Sequence, residues 1–66
     1  MNEKLKQIRL ERGLTIKTVA ATLGITVSAY AHYEQGIREP SIGILKRICD
    51  LFDVSSDYLI GRTDSY

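Results

Sequence analysis

Residues 15–36, TIKTVAATLGITVSAYAHYEQG, contain two short helical patterns separated by one tight break. Thr15 and Thr26 are good N-caps, because a threonine hydroxyl accepts an otherwise unpaired backbone N–H at a helix start. Gly24 is expected to end the first helix, since glycine adopts positive φ without strain. Two short helices joined by such a turn predict a helix-turn-helix, which places its second helix in the DNA major groove. That second helix, Val27–Gln35, contains no lysine and no arginine.

Three further helical stretches predict an all-α chain. Helix 1 is expected from about Asn2 to Arg12, helix 4 from Ile42 to Phe52 after a Ser41 cap, and a short helix 5 after a Ser55 cap. The residues expected to face inward recur at helical spacing and are Leu5, Ile8, Val19, Ala20, Leu23, Ile25, Leu45, Ile48, Cys49 and Phe52. We therefore predict one compact five-helix domain over residues 1–66, with the helix-turn-helix at about 15–36.

Composition narrows the classes of protein. A chain of 66 residues buries only about 60% of its unfolded surface, so it needs well-packed helices or self-association. One cysteine, Cys49, excludes an intramolecular disulfide and is expected to be a buried structural residue. One cysteine and one histidine are too few ligands for a structural zinc site, so no metal site is expected. The sequence contains no apolar run of about 20 residues, so no membrane span is predicted. The charged N-terminus is unlike a signal peptide. We expect a soluble cytoplasmic protein.

Helix 3 is predicted to turn small and polar residues outward. On a wheel at about 100° per residue, one arc consists of Val27, Ser28, Ala31, His32 and Gln35. The opposite arc carries the aromatic rings and consists of Ala29, Tyr30 and Tyr33, with Glu34 at its edge. Hydroxyl, imidazole and amide groups can bond base edges, and methyl groups can contact thymine. The alternative is an exposed face without a ligand, which composition alone favours, because the net charge of +1 is low for a nucleic-acid binder.

Several motifs, in the right order and with the right gaps, resemble the phage-repressor-like helix-turn-helix family of the Cro/repressor or XRE type. They are Gly13-Leu14-Thr15, Val19-Ala20, Leu23-Gly24-Ile25-Thr26, Tyr33-Glu34-Gln35-Gly36, Arg38-Glu39-Pro40 and Val54-Ser55-Ser56-Asp57-Tyr58-Leu59-Ile60-Gly61. The resemblance runs from Leu5 to about Thr63. It implies a lambda-repressor-like five-helix domain that binds a roughly palindromic double-stranded DNA operator as a homodimer, with half-sites about 34 Å apart.

The resemblance also implies roles for individual residues. Base readout would fall to Val27, Ser28, Ala29 and His32. Contacts to the DNA backbone would come from Thr15, Ile16, Lys17, Thr26, Gly36, Ile37 and Arg38, partly through N–H groups of helix 2 and of the loop after helix 3. A pair between Arg9 and Glu34 would fix helix 3 against helix 1. Ile16 stands where the family usually has glutamine, and Val27 where it often has arginine, so a thymine methyl contact is expected there instead of a guanine contact.

The C-terminal segment 55–66 is a candidate dimer seam. Tyr58, Leu59 and Ile60 supply more apolar surface than one short helix needs. Leu59 is expected to enter the core, while Tyr58 and Ile60 form an exposed patch. The alternative is that the tail, residues 62–66, folds over them.

No catalytic constellation, cofactor motif or phosphate loop is visible, so we expect no enzyme and no cofactor. Two hypotheses remain. The first is a transcriptional regulator, a repressor of phage, plasmid or mobile-element type. The second is a protein-interaction module of the same fold, such as an antitoxin or an anti-repressor partner. The remaining cations are expected to be ordinary surface charges: Lys4, Lys6, Arg12, Lys46, Arg47 and Arg62.

Overall fold

The computed structural model of the protein describes residues 1–63 and 66. This part of the chain contains no strand and folds into five helices: α1 Asn2–Glu11, α2 Ile16–Leu23, α3 Val27–Gln35, α4 Ile42–Phe52 and α5 Ser56–Leu59. The predicted all-α fold with five helices is confirmed. The end of α1 differs from the expectation by one residue, because Arg12 is its C-cap, and α5 ends before Ile60, which is its C-cap.

Side-chain hydroxyls start four of the helices, as the sequence predicts. The hydroxyl oxygens of Thr15, Thr26, Ser41 and Ser55 accept hydrogen bonds from the backbone N–H groups of Thr18, Ala29, Ile44 and Tyr58 at 3.1, 3.0, 3.3 and 3.1 Å. Gly24 ends α2 with φ 73° and Gly36 ends α3 with φ 77°, a left-handed conformation that glycine adopts without strain. The turn between α2 and α3 is therefore fixed at both ends.

The core lies where α3 packs against α1 and α2, with α4 and α5 closing the other side. Its fully or nearly fully buried members are Leu5, Ile8, Val19, Ala20, Leu23, Tyr30, Ile48, Phe52, Val54, Tyr58 and Leu59. Three residues predicted for the core, Ile25, Leu45 and Cys49, are only half-buried. Leu45 and Cys49 line a hollow on α4, so the buried face of α4 is narrower than its apolar pattern indicates.

Tyr58 is buried, and its assignment to an exposed patch is wrong. It is 6% exposed, because the ring of Tyr66 packs against it edge-on with the ring centroids 4.8 Å apart. The carbonyl oxygen of Tyr66 accepts a hydrogen bond of 2.7 Å from the N–H of Ser55. The alternative, a tail that folds back, is therefore correct for Tyr58, whereas Ile60 stays 45% exposed.

Within the described part of the chain, no helix has the length and apolar character needed to cross a membrane. No three or more His, Cys, Asp and Glu side chains in the same part of the chain are grouped closely enough to hold a metal ion.

Candidate nucleic-acid interface

Helix α3 presents the face that the wheel predicts. Tyr30 is fully buried, and Tyr33 packs edge-on against it with the ring centroids 6.4 Å apart. The opposite face is open: Val27 is 49% exposed, Ser28 and Gln35 are exposed, and Ala31 and His32 are half-buried. Ala29, on the arc of the tyrosines, is also half-buried. Small and polar side chains therefore form the accessible side of a helix that its two tyrosines hold in the fold.

The predicted ion pair between Arg9 and Glu34 is present and joins α1 to α3. Nε of Arg9 donates to Oε2 of Glu34 at 2.6 Å, and Nη2 donates to Oε1 at 3.2 Å. The third nitrogen, Nη1, donates to the carbonyl oxygen of Leu14 at 2.9 Å. The two side chains are only 9% and 6% exposed, and the hydrogen bonds with Glu34 raise the pKa of Arg9. This two-pronged contact is the strongest type of protein ion pair and sets the position of α3.

The hydroxyl of Tyr30 lies beside this pair and has no hydrogen-bond partner among the described residues. Burial, followed by the nearby Glu34 carboxylate, raises the pKa of the phenol. Because a buried polar group without a partner costs free energy, the position of Tyr30 is set by the packing of its ring. Its hydroxyl does not contribute a bond.

The start of α2 offers donors beside α3. The hydroxyl of Thr15 is already occupied, because it accepts the N–H of Thr18 as a cap and donates to the Thr18 hydroxyl at 3.0 Å. Ile16 is half-buried and Lys17 is exposed. The N–H groups of a first helical turn have no partner within the helix, so Ile16 and Lys17 present backbone donors, and Lys17 adds one exposed cation.

The loop after α3 differs from the expectation, because its N–H groups are not free. Those of Ile37 and Arg38 both donate to the carbonyl oxygen of His32, at 3.0 and 3.4 Å, and that of Gly36 donates to Tyr33 at 3.3 Å. These bonds close the C-terminus of α3. A phosphate contact from this loop must therefore come from a side chain, and Arg38, which is exposed, is the group suited to it.

Two residues on α1 that the sequence analysis did not assign to the interface lie beside α3 or the loop after it. Lys6 borders a hollow of about 260 Å³ between the first three helices, whose lining is Lys6, Arg9, Ile16, Ala31, Glu34 and Gln35. Asn2 lies beside the loop after α3, because a Cβ atom added to Gly36 would be 3.2 Å from its amide nitrogen. The spacing of Lys6, three residues before Arg9, is the signal that places it near α3.

Two other cations contact residues of α4, α5 and the C-terminus. Nε of Arg12 donates to the carbonyl oxygen of Phe52 at 3.0 Å, at the C-terminus of α4, and its guanidinium lies 5.2 Å from the centre of the Tyr66 ring. The ammonium of Lys4 lies 4.4 Å from the centre of the Tyr58 ring. Lys4 and Arg12 therefore make specific contacts with neighbouring residues in addition to carrying charge.

The fold and the open face of α3 define a helix-turn-helix domain. The sequence pattern of the helix-turn-helix family matches residues 5–59, which is most of the chain. The protein belongs to this family, in its XRE type.

Curated relatives support the same assignment. The chain is 40% identical over 60 residues to the HTH-type transcriptional regulator AnsR of Bacillus subtilis, which covers 91% of this chain and 52% of AnsR. It is 46% identical over 59 residues to the uncharacterized regulator YqaE of the same organism, covering 89% and 51%. It is 33% identical over 64 residues to the regulator ImmR, covering 97% and 50%. The chain therefore spans about half the length of each of these three relatives.

Proposed function

We propose that this protein is a sequence-specific transcriptional regulator, a repressor of phage, plasmid or mobile-element type, that binds a palindromic DNA operator as a homodimer. It would act without a cofactor or catalysis, in the cytoplasm. The observation that carries the proposal is the open face of α3, held by the Arg9–Glu34 pair and by Tyr30. A helix that enters the major groove must be held in one position and must present side chains that can bond or contact base edges. Three relatives that are named transcriptional regulators support it.

Base readout is assigned to the outward residues of α3. Ser28 can donate to or accept from base edges, and His32 can donate to guanine. Val27 offers only methyl groups. Ala29 is half-buried, so its part in readout is restricted to a contact at the edge of the helix. No side chain of α3 forms the bidentate contact of an arginine, so two half-sites are needed for a selective complex.

Phosphate contacts are assigned to the elements on either side of α3. Lys17 on α2, Arg38 in the loop and Lys6 on α1 are exposed cations, and Thr26 and the first turn of α2 supply polar groups. Three cations in each protomer would neutralise about six phosphates in a dimer complex, which predicts a slope of about −5 for log K against log salt concentration.

The dimer surface is assigned to an apolar hollow of about 360 Å³ on α4. Its lining residues are Ile42, Leu45, Lys46, Cys49, Asp50, Val54, Ser55 and Ser56, and Ile42 is 75% exposed. Lys46 and Asp50 lie one helical turn apart on the rim. A two-fold interface brings the same surface together twice, so Lys46 of one copy can face Asp50 of the other. The occupant that fits this self-complementary charge is a second copy of the chain.

This assignment shifts the predicted dimer seam. Tyr58 and Leu59 are buried within one chain, so of the three predicted seam residues only Ile60 has a side chain available to a partner. The hollow on α4 adjoins the start of the 55–66 segment through Ser55 and Ser56. Asp64 and Ser65 lie outside the described residues.

Sedimentation equilibrium tests the dimer surface. Ile42→Glu should raise the dimer dissociation constant at least about tenfold, because it buries a charge in the contact. Leu10→Glu is the matched control, since Leu10 is an exposed aliphatic residue (57%) on a different helix and should leave the constant unchanged. The assignment to α4 would be contradicted if Ile42→Glu and Leu10→Glu changed the dissociation constant equally. It would also be contradicted if Ile60→Glu raised the constant more than Ile42→Glu.

Fluorescence anisotropy tests DNA binding, with a duplex obtained by selection from random sequence. Ser28→Ala and His32→Ala should reduce the preference for that duplex over a scrambled one. Lys17→Ala and Arg38→Ala should weaken both duplexes alike and reduce the salt slope by about 1 for each phosphate that is no longer neutralised. Equal binding of selected and scrambled DNA by the wild-type chain would contradict base readout.

A second candidate, a protein-interaction module such as an antitoxin or anti-repressor partner, is favoured by the absence of lysine and arginine from α3 and by the net charge of +1. Under this alternative, the purified chain would show no preference for any DNA sequence at low salt.

A further inference from the structure

The first turn of α3 offers methyl groups at the place where a recognition helix reaches base edges. Val27 is the first residue of the helix and is 49% exposed. The Thr26 hydroxyl fixes its backbone by accepting the N–H of Ala29 at 3.0 Å. Because valine is branched at Cβ and stiff at χ1, its methyl groups have few positions to choose from before DNA binds.

One helical turn after Val27, Ala31 lines the hollow between the first three helices. Ala31 and Ile16 are the apolar members of its lining, and the other members are charged or amide side chains. Val27, Ile16 and Ala31 have no hydrogen-bonding group in their side chains. They can therefore discriminate between bases only through apolar contacts and shape.

The major groove contains one apolar group that differs between base pairs, the methyl group on C5 of thymine. Cytosine and uracil lack it. 5-Methylcytosine carries a methyl group on the same ring carbon, although its hydrogen-bonding pattern is that of cytosine. A side chain that contacts only the methyl group therefore treats thymine and 5-methylcytosine as equivalent.

We propose that Val27 makes this protein a reader of C5-methyl groups, so that methylation of a cytosine in the operator can substitute for a thymine. The inference rests on the DNA binding proposed above and specifies the ligand of the first turn of α3. It predicts that binding responds to cytosine-C5 methylation at one base pair in each half-site.

A set of four duplexes tests the inference by anisotropy. Each carries T·A, U·A, 5-methyl-C·G or C·G at one chosen pair in both half-sites of the selected operator, and every pair of the half-site is tested in turn. At the pair under Val27, removing the methyl should weaken binding about fourfold for each half-site, hence about 15-fold for two. The loss should be the same from T to U as from 5-methyl-C to C.

Val27→Ala should reduce the methyl effect to less than half while retaining binding, because alanine has one methyl group of its own that reaches less far, and an exposed helical position tolerates alanine. Leu10→Ala, at an exposed position on α1, should leave the effect intact. Circular dichroism checks that both variants are folded.

Two outcomes would overturn the inference and leave DNA binding standing. One is sequence-specific binding with no methyl effect at any pair. The other is a methyl effect that is undiminished in Val27→Ala, which would place the methyl contact on another residue. An absence of sequence-specific binding to every duplex would instead contradict the proposed function itself.

Discussion

The pair between Arg9 and Glu34 is the contact whose removal should most weaken the placement of α3. Both charged side chains are more than nine-tenths buried, and three guanidinium nitrogens of Arg9 are occupied. Removing one partner of a buried pair leaves an uncompensated charge, which costs about 3–5 kcal/mol. In Glu34→Gln, the amide oxygen can still accept one hydrogen bond, worth about 1 kcal/mol. We therefore expect Glu34→Gln to lower the free energy of unfolding by about 2–4 kcal/mol.

This loss is large for a chain of 66 residues, whose total stability should be about 3–10 kcal/mol. Urea titration followed by far-ultraviolet circular dichroism measures it. Glu39→Gln is the control, because Glu39 is exposed in a loop and the same chemical change there should cost under about 0.5 kcal/mol. In the double variant Arg9→Met/Glu34→Leu, no buried charge remains unpaired, so it should lose less than Glu34→Gln alone.

The reasoning would be refuted if Glu34→Gln cost no more than Glu39→Gln. It would also be refuted if the loss of unfolding free energy in the double variant equalled the sum of the losses in Arg9→Met and Glu34→Leu, since the two side chains would then not be coupled.

Three further predictions concern stability and reactivity. Tyr30→Phe should keep or raise stability at neutral pH by up to about 1 kcal/mol, because it removes a buried hydroxyl without a partner. Because burial raises the Tyr30 pKa above its ordinary 10.0, the folded state holds the proton more tightly, so stability falls as pH rises above about 10. Urea titrations across that range should show a smaller fall in Tyr30→Phe. Asp53 has φ 56° at the end of α4, so Asp53→Val should lower the melting temperature, whereas Asp53→Gly should not; equal effects would count against backbone strain. Burial, followed by the charge of Asp50, raises the pKa of Cys49, so Asp50→Asn should speed its reaction with a disulfide reagent at pH 8, and an unchanged rate would show that access alone controls it.

Local signals in the sequence predict most of the fold. The caps at Thr15, Thr26, Ser41 and Ser55 and the end of α3 at Gly36 depend on groups a few residues apart, and the structure forms all of them. The inward face of α3 also follows from helical geometry alone. The pair between Arg9 and Glu34 could be named because the family resemblance supplied a contact between residues distant in sequence.

The remaining features depend on packing between distant segments, which periodicity does not reveal. The burial of Tyr58 depends on the ring of Tyr66, which packs against it. The partial exposure of Leu45 and Cys49 depends on how the other helices pack against α4. The N–H groups of Ile37 and Arg38 are occupied because of the backbone path directly after α3. Sequence patterns predict where a helix ends, but not this path. Lys6 joins the candidate interface only because α1 crosses α3.

The central claim, that α3 reads base edges, is tested most directly by selecting bound sequences from random duplex DNA with the wild-type chain and with His32→Ala in parallel. The wild-type chain should enrich two symmetry-related half-sites whose centres are about 10 base pairs apart. His32→Ala should enrich the same motif with its preference lost at one position in each half-site. Identical motifs from the two chains would contradict readout by His32, and the absence of any enriched sequence at low salt would contradict the claim as a whole.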